Sequence, residues 1–320
     1  MNRSSNLSCS YRDSRFTDEA KAYYQLAVSD EPSSDNVTVK DFREGEEKLF
    51  ADANEKLIGT FKGTLKEEQV KINDAEIPIT IYTPIDVNKN KLVIYFHGGG
   101  WISSSCKTHQ TIVNTLGDAT KTIWISVEYR LAPEHKYPIW LDDACDVTRH
   151  ILKNKVSYGV NPTAKVGVAG DSAGAQISAS ICHTIENIDF QILVNGFFDL
   201  TCESSSHKEF NDPMYILTTT MLNWMKLHAF RDANDLKDPR ASVFLNKSFD
   251  TLPPCLFIVA ELDPLRDDSY AYQQLLDKAG VKTKCLLIKG VLHDFFVCPG
   301  TYSKACAQAI NAIQQFLSEL

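Results

Sequence analysis

The sequence predicts an α/β protein with a mostly parallel sheet and helices on both faces, and three features carry that expectation. Short Val- and Ile-rich runs recur from about residue 88 onward, helix-period segments separate them, and glycine-rich turns follow two of the runs directly. The runs are KLVIYF (91–96), TIWISVEY (122–129), KVGVAG (165–170), DFQILVNGF (189–197), CLFIVAE (255–261) and KCLLIKG (284–290). Each lacks polar alternation, as a strand covered on both faces does. Between them, 139–153 carries Ile139, Ala144, Val147, Ile151 and Leu152 on one side, and 306–320 repeats Cys306, Ile310, Ile313, Leu317 and Leu320. Gly280 follows DSYAYQQLLDKA where a helix C-cap glycine belongs. Strand and helix in regular alternation mean a parallel sheet.

Two regions break the rhythm. Residues 16–60 read as helical and charged, and 200–245 turn polar and then helical where the next strand is overdue. Both are expected to form a helical cap over the carboxyl ends of the strands, where open α/β sheets bind ligands. The expectation is one domain over 1–320, with 1–60 and 200–245 contributing that cap.

The bulk composition excludes several classes. A content of 43% hydrophobic and 23% charged residues is that of a globular chain with a sizeable core. A net charge of −8 argues against nucleic acid or an anionic membrane as partner. The polar opening, MNRSSNLSCSYRDSR, has no secretory core, and no stretch approaches the roughly 20 apolar residues of a membrane span. The nine cysteines show no zinc spacing, and those in apolar runs, Cys255 and Cys285, read as core positions. Asn6, Asn36 and Asn246 begin N-x-S/T triplets that carry no meaning without export. A cytoplasmic enzyme without metal is the expectation; a homodimer is left open.

The chemistry sits at the two glycine turns. Gly170-Asp171-Ser172-Ala173-Gly174 lies between a strand and the small-residue start of a helix. A nucleophilic serine there must stand on a strained turn above the sheet, and glycines at −2 and +2 let strand and helix come close. His97-Gly98-Gly99-Gly100-Trp101 ends KLVIYF, and its bare amides suit an oxyanion hole: Gly99 and Gly100, joined by the amide of Ala173. A phosphate loop competes with this reading, but no Walker lysine or dinucleotide fingerprint accompanies it. His97 is expected to prop the loop.

Acid and then histidine should follow the serine in chain order. His183 is about three turns along the nucleophile helix, and His207 and His228 fall in the expected cap. His293 follows the last strand and Asp263 the one before it, so Ser172, Asp263 and His293 form the expected triad, with Asp267 and Glu261 as fallback acids. Trp101, Met214, Tyr215 and Trp224 are the expected pocket residues.

Together HGGGW (97–101), YRLAPEHKYP (129–138) with Asp142 and Asp143, GDSAG (170–174), DPRAS (238–242) and DPLRDD (263–268) resemble the hormone-sensitive-lipase-like branch of the α/β-hydrolases. That branch includes arylacetamide deacetylase-like enzymes and plant carboxylesterases. The resemblance spans roughly 76–320. It implies an eight-stranded sheet, a helical cap and cofactor-free, two-step acyl transfer from short-chain or aromatic esters. Where the family has glycine after the catalytic histidine, this chain has Asp294, which could raise the histidine pKa, position a substrate or, as we expect, face solvent. Arg130 and Glu134 are expected to pair across their turn. Three functions compete: a serine esterase or deacylase acting on a small-molecule ester, a lyase, dehydratase or cyclase on the same site, and a small-molecule receptor. Receptors of this family lose the triad histidine, which this chain keeps.

Overall fold

A computed structural model describes residues 13–29 and 37–320; Cys9, the Asn6 triplet and Asn36 lie outside the described residues. Eight strands form one sheet in the order β1-β2-β4-β3-β5-β6-β7-β8. The six runs read from the sequence become β3 (Lys91–Phe96), β4 (Ile123–Val127), β5 (Lys165–Asp171), β6 (Phe190–Val194), β7 (Cys255–Leu262) and β8 (Thr283–Leu292). All six are parallel to one another. Neighbouring residues of β3 bury into opposite cores, Leu92, Ile94 and Phe96 on one face and Val93 and Tyr95 on the other. This two-sided burial removes polar alternation from the central strands.

The first two strands, β1 (Thr64–Lys71) and β2 (Glu76–Thr83), form an antiparallel pair on the β4 edge. They escape a search for apolar runs. β1 buries only Val70, and β2 alternates, burying Ile77, Ile79 and Ile81 on one face while its other face stays partly exposed until Tyr82, which is buried in the opposite core.

Helices α4 (Ile139–Asn154), α5 (Ala173–Thr184) and α8 (Arg266–Lys278) pack on one face, and α3 (Gln110–Thr120) and α9 (Ser303–Glu319) on the other. The α9 stripe is buried as expected at Cys306, Ile310, Ile313 and Leu317. Gly280 ends α8 with a φ of 82°, and its amide donates to the Asp277 carbonyl. No helix of the described residues is long and apolar enough to cross a membrane.

The region 16–60 holds α1 (Asp18–Ser29) and α2 (Val39–Asn54), and 200–245 holds α6 (Ser205–Glu209) and α7 (Thr219–Ala229). Thr38 caps α2 through a reciprocal pair of bonds with Asp41. The segment before α1 is tied to the end of β8, where Thr17 donates from its amide to the Gly290 carbonyl at 3.0 Å.

Two expectations are corrected. Cys285 is exposed, because β8 is the edge strand and among the described residues has no neighbour beyond it. Arg130 does not pair with Glu134. Its guanidinium bonds Asp143 of α4 at 2.6 Å and reaches Asp74, while Glu134 bonds Arg43 of α2 at 2.7 Å. The Asp143 side chain is only 1% exposed, so Arg130 neutralises a carboxylate that has no access to water. Arg130→Met should lower stability in urea unfolding by about 3 kcal/mol, because it strands that buried charge. Glu134→Ala, which breaks an exposed pair, should cost less than about 1 kcal/mol.

Candidate active site

Ser172 stands between β5 and α5 with φ 53° and ψ −120°, a strained conformation for a residue with a side chain. Its amide donates to the Val194 carbonyl of β6 at 2.8 Å, and its carbonyl accepts from Ala175 and Gln176, the first turn of α5. The flanking glycines have no alternative. A Cβ on Gly174 would sit 2.0 Å from the Phe96 carbonyl oxygen, and one on Gly170 would sit 2.4 Å from the backbone of Gly174. The end of β3 thus presses directly against the turn that lifts Ser172.

His293 follows β8 and Asp263 follows β7, so neighbouring parallel strands deliver both to the same end of the sheet. His293 Nε2 lies 2.9 Å from Ser172 Oγ, and Nδ1 lies 2.7 Å from Asp263 Oδ2. Because a carboxylate only accepts, Nδ1 carries a proton and Nε2 of the neutral ring accepts from the serine hydroxyl. Asp263 is fully buried, and its other oxygen accepts from the Leu265 amide at 2.8 Å. Burial works against charge on His293, but the Asp263 carboxylate beside it outweighs this and raises the imidazole pKa to about 9. Asn195, at the end of β6, donates to the His293 carbonyl at 2.7 Å and accepts from the Ala260 amide at 2.8 Å. It locks the histidine backbone to β7.

The other candidates are engaged elsewhere. Asp267 accepts from the Ser206 amide and Glu261 from the Gly290 amide. His183 bonds the Tyr272 hydroxyl, His228 the Trp224 carbonyl, and His207 lies buried between Ser204 and Asp268.

The glycine loop turns back over Ser172 with φ values of 93° at Gly99 and 59° at Gly100. The amides of Gly99, Gly100 and Ala173 have no protein acceptor among the described residues. The loop is held from behind by a buried network that sequence reasoning missed. Asp171 accepts from the Gly98 amide at 3.1 Å and from the Tyr95 hydroxyl at 2.6 Å, and His109 lies 3.3 Å from it. Burial pushes the Asp171 carboxyl up, yet the facing His109 brings it below its ordinary value. Asp171 is visible in the motif, but nothing local in the sequence marks Tyr95 or His109 as its partners. His97 stacks on Tyr129 at 4.3 Å, and burial lowers its pKa to about 4, so a neutral ring props the loop as expected.

Above Ser172 lies a cavity of about 750 Å³, walled by Phe42 and Leu49 of α2, Met221, Trp224 and Met225 of α7, and Val297. Of the four expected pocket residues, only Trp224 lines it. Trp101 is wholly buried beneath the loop, stacked on Trp140 and Phe197 with its indole N–H bonded to Gln176. Tyr215 packs against Phe210 and Phe16 and donates to Asp13, and Met214 joins the same cluster, so this turn faces the segment before α1 while the next residues, Ile216 and Leu217, face the cavity. Asp294 does not face bulk solvent. It is half-buried in the cavity wall and accepts from the Tyr23 hydroxyl at 2.7 Å.

Comparison with known proteins agrees with this architecture. A family model described as the α/β-hydrolase fold matches residues 93–297. An arylesterase from Saccharolobus solfataricus is 31% identical over 243 residues, covering 75% of this chain and 79% of the relative. A carboxylesterase from Mycobacterium tuberculosis is 31% identical over 258 residues, with 76% and 79% covered. The structure of a hyperthermophilic esterase from the archaeon Pyrobaculum calidifontis superimposes with a TM-score of 0.85 at 29% identity, covering 93% of this chain and 97% of that one. The chain belongs to the α/β-hydrolase fold family, in its hormone-sensitive-lipase-like carboxylesterase branch.

Proposed function

We propose that the protein is a serine carboxylesterase that hydrolyses short-chain or aromatic esters through an acyl-enzyme on Ser172. The observation that carries this reading is the unbroken chain from Ser172 through His293 to Asp263 at the floor of an apolar cavity. His293 takes the serine proton as Oγ attacks the ester carbonyl, and Asp263 stabilises the imidazolium that forms. The free amides of Gly99, Gly100 and Ala173 receive the oxyanion. His293 then passes its proton to the departing alcohol, and a water activated by the same nitrogen releases the acid. Helix α2 and the segment through α7 act as the cap, since both wall the cavity. The receptor reading is disfavoured by a complete triad. A cytosolic setting accompanies the proposal, supported by the eight described cysteines, all free thiols.

Three outcomes test this. Turnover of nitrophenyl esters should vanish in Ser172→Ala. It should fall about 10⁴-fold in Asp263→Asn, which fixes the wrong tautomer while leaving the circular dichroism spectrum intact. Loss of activity in Asp267→Asn with Asp263→Asn unaffected would contradict the assignment.

The pH profile has a definite sign. A raised pKa means that His293 holds its proton, and cannot act as base, until the pH climbs through about 9. The rate constant kcat/KM should therefore rise with pH along a limb centred near that value. In Asp263→Asn the residual limb should move to lower pH.

Chain length reports on the cavity. Each methylene buried adds about 0.8 kcal/mol until the space is full, so specificity should rise over the first few acyl carbons and then fall. A continued rise to long-chain esters, with a jump in rate at the critical micelle concentration, would identify a lipase instead.

A further inference from the structure

Gly45 has no packing or backbone reason to be a glycine. It lies half-buried in the middle of α2. Among the described residues it is the one glycine with neither a left-handed φ nor any atom within 4 Å of where a Cβ would stand. Elsewhere the reason is plain. Gly280 turns at a φ of 82°, and a Cβ on Gly174 would run into the Phe96 carbonyl. Inside a helix glycine is the least favourable residue after proline, because it gives up the most backbone freedom on folding. Alanine would fit at position 45 and strengthen α2, yet the position is left bare.

What the gap faces is the cavity above Ser172. Asp41, Phe42, Gly45, Glu46, Leu49 and Phe50 all line it, with the spacing of one helix face. Residues three and four apart are neighbours on such a face, so Phe42 and Leu49 flank position 45. The missing side chain is therefore a bay in the cavity wall, bounded by a ring and an aliphatic chain. Trp224 of α7 meets Phe42 edge to face at 5.5 Å and lines the same cavity. An aromatic group suits this bay. Ring packs favourably on ring, and a rigid group entering a preformed space loses fewer rotamers than a flexible chain does.

We propose that Gly45 is a specificity-determining residue, and that the space left by its missing side chain holds an aromatic ring of the ester. This rests on the esterase reading and names the substrate class within it.

The test fills the bay and reads two ratios of kcat/KM, nitrophenyl benzoate over nitrophenyl acetate and benzyl acetate over ethyl acetate. The first places the ring in the acyl half and the second in the alcohol half. Each ratio is compared with that of the wild type, so the intrinsic reactivity of the esters cancels. Gly45→Leu, a good helix former, should lower at least one ratio about tenfold or more. Gly45→Ala should lower the same ratio several-fold while raising the melting temperature by about 1–2 °C. A general loss of structure would slow both esters of a pair alike and could not produce that combination. Two ratios that stay level or rise in Gly45→Leu would overturn the proposal, as would a lower melting temperature in Gly45→Ala. If the wild type turns over no nitrophenyl acetate, the esterase reading fails instead. The bay is then decided by thermal shift with 4-phenylbutan-2-one, the ketone isostere of benzyl acetate. A shift that is larger in the wild type than in Gly45→Leu supports the bay, and equal shifts or none overturn it.

Discussion

The site depends on how closely the turn at Ser172 approaches the end of β3. Gly170 and Gly174 leave no room for a Cβ against the Phe96 and His97 carbonyls, and that contact holds Ser172 at a φ it would not otherwise adopt. Everything catalytic is arranged around this turn. The glycine loop that continues from β3 is brought over the serine by the same contact. Ala173, whose amide has no protein acceptor among the described residues, opens α5 directly after the serine. Parallel neighbours β7 and β8 then deliver acid and base to the same end of the sheet.

Around that centre a second layer fixes orientation. Asp171 links the nucleophile turn to the glycine loop through the Gly98 amide, and Tyr95 and His109 hold it from below. Asn195 does the equivalent for His293 by bonding its carbonyl and a β7 amide together. Such bonds keep donors and base in place before a substrate arrives, and most of the benefit of an oxyanion hole comes from that preorganisation. The acid loop has a double use. Asp263 faces His293, while Asp267 and Asp268 accept from the Ser206 and Asp199 amides and anchor the segment leading to α7. The three acids of DPLRDD thus divide between the reaction and the wall above it.

The central fold and the residues of the proposed triad were legible in the sequence because their signals are local. Buried parallel strands read as continuous apolar runs, and the serine turn needs glycines at fixed offsets. Acid and base follow strands that the same runs reveal. What was not legible depends on distant parts of the chain. The β1–β2 pair hides because an edge strand such as β1 buries a single residue. Trp101, expected in the pocket, has a φ of 64° and lies wholly buried beneath the loop. Met214 and Tyr215 lie two residues before Ile216 and Leu217, which face the cavity. Arg130 found Asp143 thirteen residues on instead of its neighbour Glu134, and Asp294 found Tyr23 from a helix 271 residues earlier. Pairings of that span have no signature in composition or spacing.

The central claim is that one serine is made nucleophilic by this geometry. Its most direct measurement is covalent labelling with a fluorophosphonate, located by peptide mass spectrometry. The phosphonyl group should appear on Ser172 alone, and labelling should be lost in Ser172→Ala and slowed sharply in Asp263→Asn. Labelling that persists in Ser172→Ala, or that appears on another serine in the wild type, would contradict the account.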